Sequence, residues 1–127
     1  MVRAVSNVGL IGLFALDLAT LVAALGEWVK AVLEAYLADA KPSPETAEAL
    51  FKLAELTWEE AQARFLTTMG QYQEALEACR SDRTKCVNVP RRKPHLDLSQ
   101  AQGTYLRLIR EYPKFRKLDT VIYLYAF

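Results

Sequence analysis

Few residues in this chain have side chains suited to chemistry: Cys79, Cys86, His95 and some neighbouring carboxylates. The two cysteines lie seven positions apart. They could close a short disulfide loop in an oxidising compartment or remain a pair of reduced thiols. Zinc would need further ligands, and His95 is the only histidine, so no metal is expected. His95 also has no nucleophile beside it in any catalytic arrangement. Glu45/Glu48 and Glu59/Glu60 could work as acid and base if their surroundings drove their pKa values apart. Both pairs fall on the polar side of an amphipathic helix pattern, where a solvated surface is expected. Glycine-rich phosphate loops and His-x-x-x-His pairs do not occur. Trp28, Trp58, Tyr72 and Tyr105 could stack on bases, but their helical spacing assigns them to a core. The expectation is therefore a protein that is not an enzyme and takes no cofactor.

The segment 81–96 is locally basic. Arg83, Lys85, Arg91, Arg92 and Lys93 lie in it, between Arg80 and His95. Such a cluster could touch anionic lipid headgroups or an acidic partner, each basic residue being worth about 1 kcal/mol near a charged surface. It could equally be a solvated loop that offsets the negative end of the preceding helix. The chain as a whole carries 16 Lys and Arg against 15 Asp and Glu, a net charge of +1. That balance argues against a general nucleic-acid binder. Pro90, Pro94 and the lack of any apolar period predict an irregular loop, long for a compact domain. It is expected to be mobile, dispensable for folding and the first place a protease cuts.

The elements that must carry these residues are helical. Hydrophobic residues make up 52% of the chain, enough for a core without metals, and glycine and proline are few. Residues 27–39 show stripes of Trp28, Val32, Tyr36 and of Val29, Leu33, Leu37 at helical spacing. Lys41-Pro42-Ser43-Pro44 ends that helix, and Ser43 and Pro44 open the next as N-cap and first residue. A stripe then runs Leu50, Ala54, Trp58, Ala61, Phe65, Met69, Tyr72, Leu76, Cys79 to about Arg80, with Gly70 the one point of weakness. Asp97 and Gln100 are placed to form a capping box for a third helix carrying Ala101, Tyr105, Leu108, Ile109 and Tyr112. Pro113 ends it, and a last helix begins near Leu118. Trp58, Phe65 and Tyr105 are expected to share one buried hairpin core.

Ala101-x-x-x-Tyr105 followed by Tyr112-Pro113 resembles the second helix of a tetratricopeptide repeat: a small residue, an aromatic four later and a closing proline. Leu50-Phe51-Lys52-Leu53-Ala54-Glu55-Leu56-Thr57-Trp58 resembles the first helix, with Leu53-Ala54 at the family's Leu-Gly. Gly70 to Leu76 offers a rival register, and Asp119 to Ala126 resembles the opening of a following repeat. Two features depart from the pattern: Thr57 stands where an aromatic is usual, and the two helix motifs are too far apart. The phrasing, with Glu-Tyr-Pro-x-Phe and a cysteine-bearing insertion, is similar to envelope repeat proteins of myxobacteria and other deltaproteobacteria, including some linked to gliding motility and outer-membrane assembly. The resemblance covers residues 27–127. It implies an all-α fold of antiparallel helical hairpins, an α-solenoid scaffold whose inner face holds a protein or peptide partner. It also implies a bacterial envelope setting, the periplasm, with the cytoplasm as the alternative.

The segment 1–26 stands apart. From Val8 to Leu25 it is almost continuously apolar, interrupted by Asp17. A buried helix, a secretory signal and a membrane anchor all fit that pattern, so membrane association through Val8–Leu25 is one expectation. The last helix carries Val121, Ile122, Leu124 and Tyr125 on a face with no polar cap in the chain. Those two apolar surfaces predict that the isolated chain self-associates into a homo-oligomer, the alternative being a structural subunit of a larger assembly.

Overall fold

The computed structural model describes residues 21, 22 and 24–127. The chain divides into two compact units, Met1–Lys41 and Pro42–Phe127. The reading of residues 1–26 as core helix, signal or anchor falls mostly on residues 1–20, which lie outside the described residues. All regular structure among the described residues is helical. In the first unit, residues 24–39 form α1. Of its two stripes, Leu37 is buried and Val29 and Leu33 are half-buried, whereas Trp28, Val32 and Tyr36 are exposed.

The second unit is built on α2, Pro44–Ser81. Its start follows local chemistry. The Ser43 hydroxyl accepts a hydrogen bond from the Thr46 amide at 3.1 Å and lies 2.9 Å from the Thr46 hydroxyl, satisfying donors that have no partner inside the helix. Pro44 follows at the first turn, where its missing amide costs nothing. The helix then runs 38 residues without a break, so Gly70 does not interrupt it and the rival start there is not used. At 1.5 Å per residue it is about 57 Å long.

Next come α3, Ser99–Glu111, and α4, Leu118–Ala126. α3 begins one residue later than the capping-box pattern predicts. Leu98 occupies the cap position and makes no side-chain bond there. Asp97 instead accepts from the Ser99 amide at 3.0 Å, closing a local turn of its own. α3 is antiparallel to α2: Ala101 lies beside Thr57 and Ala61, while Tyr112 lies beside Ala47. α4 folds back along α3, its Tyr125 carbonyl accepting from Gln102 at 3.3 Å.

The core forms where these three helices meet. Leu50, Ala54, Ala101, Tyr105, Leu108 and Val121 are each no more than 1% exposed. Aromatic rings knit the helices together. Tyr105 meets Phe51 and Trp58 at centroid distances of 6.2 and 6.3 Å, and Phe51 meets Phe115 at 5.6 Å. Such tilted pairs contribute about 0.5–1.5 kcal/mol each beyond the area they bury. Phe65 is a correction to the expected trio: it is only half-buried and lies outside this cluster, and Trp58 is half-buried at its margin. The reason is length. α3 has 13 residues, so it reaches about 20 Å along α2 and leaves the far half without an α-helical neighbour among the described residues.

That far half is covered by the segment expected to be an irregular loop; residues 89–98 are irregular as expected, and the correction concerns residues 83–88. Arg83–Asn88 form a 3₁₀ helix, started by Asp82, whose carboxylate accepts from the Thr84 amide at 3.0 Å and hydroxyl at 2.7 Å. Cys86 is disulfide-bonded to Cys79 on the last turns of α2. From there the chain returns beside α2, with Pro90 and Lys93 near Tyr72 and Ala75, then His95 near Phe65 and Ala61. About 30 Å of helix must be retraced, well within the reach of an extended segment of this length. Half-buried Val89, Pro94, Leu96 and Leu98 supply its apolar contacts.

Candidate functional site

Two surfaces of the second unit have the character of contact sites. The first is a cleft of about 450 Å³ between the start of α2 and the α3–α4 turn. Pro42, Pro44 and Ala47 form one wall and Tyr112, Pro113 and Phe115 the other. The turn is stiffened by successive backbone bonds, Phe115 amide to Tyr112 carbonyl at 3.0 Å and Leu118 amide to Phe115 carbonyl at 3.1 Å. Arg116 reaches across to Glu48 with an Nε–Oε1 distance of 2.5 Å, and Lys117 lies over the Phe51 ring at 5.0 Å. Glu48 and Arg116 both line the cleft. It is apolar with a charged rim, the usual composition of a peptide- or ligand-sized recess. The sequence marks both walls only as helix breakers, because Pro42–Pro44 and Tyr112–Pro113 are far apart in the chain.

Next to the cleft, α4 presents a second apolar surface. Of its predicted face, Val121 is buried and Leu124 half-buried, while Ile122 and Tyr125 are 48% and 38% exposed. Tyr123 and Phe127 are exposed as well, although the Phe127 ring still touches Trp58 at 5.6 Å.

The second contact surface is the basic return. Arg83, Lys85, Arg91, Arg92 and Lys93 are all exposed and form no ion pair among the described residues. The cations of α2 nearest them are neutralised locally, Arg80 by Glu77 at 2.8 Å and Arg64 by Glu60 at 3.0 Å. The two acids that bracket the return are engaged in their own turns. Hydrogen bonds from Thr84 hold the Asp82 carboxyl below the usual range, and those from Ser99 do the same for Asp97. The disulfide partners Cys79 and Cys86 anchor this surface to α2.

Among the described residues no nucleophile, base and orienting group are brought together. Glu59 is exposed and Glu60 pairs with Arg64. Glu45 is exposed in the first turn of α2, and Glu48 is taken up by Arg116. His95 sits in the return beside Phe65 and Asp97. Tyr105 has a strongly altered proton affinity: burial, with Glu55 and Glu59 nearby, pushes its pKa up to about 12. That makes it a poorer acid and fits a core residue. Among the described residues no three His, Cys, Asp or Glu side chains gather as a metal site requires, and no helix is long and apolar enough to cross a membrane. No family model, curated protein or solved structure matches the chain.

Proposed function

We propose that the second unit is a non-enzymatic protein-interaction module of tetratricopeptide-like type, a scaffold element of a bacterial envelope whose apolar cleft receives a peptide or partner helix. The observation that carries this reading is the cleft at the α2 start and the α3–α4 turn, bordered by the Glu48–Arg116 pair. The helix packing supports it. Ala101 and Tyr105, four apart on α3, are both buried against α2, the small-then-aromatic pattern that lets repeat helices approach closely. A disulfide between Cys79 and Cys86 is compatible with an oxidising compartment such as the periplasm. α2 alone is longer than a whole ~34-residue repeat, so the module is a modified hairpin and not one regular unit.

The test is photo-crosslinking from the cleft. A benzoylphenylalanine at Pro113 should yield a discrete protein adduct in the native host, and one at Gln62 on the exposed side of α2 should not. Equal adducts from both positions would refute a specific cleft. A second reading, a structural subunit that assembles with copies of itself, is favoured by the exposed Ile122, Tyr123, Tyr125 and Phe127 of α4. Sedimentation of Ile122→Glu against the parent chain separates them. Loss of a dimer on substitution supports self-assembly, and a monomeric parent supports a heterologous partner.

A further inference from the structure

The basic return combines two features that the cleft reading leaves unused. Its cations are exposed and make no ion pair among the described residues, and no acid lies between Arg83 and Leu96. The same turn carries Val87, 86% exposed, more than any other large hydrophobic residue among those described. We propose that this disulfide-anchored turn docks on an anionic phospholipid surface, with Val87 entering the headgroup layer and Arg83, Lys85, Arg91, Arg92 and Lys93 facing lipid phosphates. Each basic residue close to such a surface strengthens binding about fivefold, so a cluster of this size is effective on a chain of nearly neutral net charge.

The form of the segment favours lipid over other anions. Single-stranded nucleic acid is held by aromatic stacking platforms, and the stretch from Ser81 to Leu98 contains no Phe, Tyr or Trp. An acidic peptide needs a recess with directed donors, whereas Val87 projects from the 3₁₀ helix on the turn following Cys86. An exposed aliphatic side chain among cations gains nothing in water and gains burial at a lipid interface. Anchoring limits the cost of ordering. The turn is tied to α2 at Cys79–Cys86, and the following residues lie along Tyr72 and Thr68.

Co-sedimentation of the full chain with vesicles tests the proposal, because the apolar N-terminal segment then contributes equally to every sample. Binding to mixed phosphatidylcholine–phosphatidylglycerol vesicles is expected to exceed binding to pure phosphatidylcholine. The excess should vanish near 1 M salt, where the screening length falls to about 3 Å. Arg91→Gln with Arg92→Gln should weaken the anionic-vesicle binding about thirtyfold. Val87→Asp should weaken it further, and the matched control Lys52→Gln with Arg110→Gln should leave it unchanged. Circular dichroism of each variant verifies that the helices persist. Equal binding to both vesicle types, insensitivity to Arg91 and Arg92, or tighter binding to soluble polyglutamate than to vesicles would each overturn the proposal.

Discussion

Replacing Phe51 and Phe65 by alanine, one at a time, tests whether packing is concentrated in the first half of α2. Phe51 is 6% exposed and touches the rings of Tyr105 and Phe115, with Lys117 over its face. Its removal deletes a full aromatic side chain and leaves a cavity bounded by two helices and a turn, which cannot easily collapse. About 3–5 kcal/mol is the expected loss. Phe65 lies beyond the end of α3 and is half-buried beside Pro94 and His95 in the return. Its truncation removes less buried area and opens a site that water can enter, so about 1–2 kcal/mol is expected. The assay is urea unfolding followed by tryptophan fluorescence in a Trp28→Phe background, leaving Trp58 as the sole reporter in the second unit. The midpoints should shift at constant m. A Phe51→Ala, Phe115→Ala cycle should add a coupling of about 0.5–1.5 kcal/mol. Losses for Phe51 and Phe65 that agree within about 0.5 kcal/mol would refute the argument, since they would mean that α2 is packed uniformly along its length.

Gly70→Ala should stabilise the second unit by about 0.5–1 kcal/mol in the same assay, because Gly70 is exposed within a continuous helix and an added Cβ meets nothing within 4 Å. Reducing the Cys79–Cys86 bond frees a short loop in the unfolded chain and should cost about 2–3 kcal/mol. A Cys79→Ser, Cys86→Ser variant should then be indifferent to reductant. The raised Tyr105 pKa has a definite sign. Its neutral form is favoured in the fold, so the contribution is complete below the unfolded pKa near 10 and is lost as pH rises toward about 12. Stability should fall by up to about 1.4 kcal/mol per pH unit in that window, and Tyr105→Phe should flatten the slope. Limited proteolysis should spare the return while the disulfide is intact and cut it after reduction.

What the sequence determines here is local. Ser43 and Pro44 supply the cap and first turn of α2 from side chains within three residues of each other, so its start is legible without any tertiary contact. The apolar stripe from Leu50 to Cys79 is a property of helical period, and so is the placing of Ala101 and Tyr105 on one face of α3. The all-helical class follows from those signals together. Tertiary structure decided how much of each stripe is buried. Leu50 and Phe65 look alike in the pattern, yet only Leu50 lies opposite a helix, because the reach of a 13-residue α3 depends on where it docks. The capping box at Asp97 does not form: Leu98 takes the cap position, and the Asp97 carboxylate closes a turn at Ser99 instead. The return has no period because its contacts run sideways to α2 through scattered prolines and aliphatic residues, and no window of sequence contains both partners. The cleft is the extreme case. Its walls come from opposite ends of the second unit, and the Glu48–Arg116 pair that spans them joins residues 68 positions apart, so only the closed chain brings it into being.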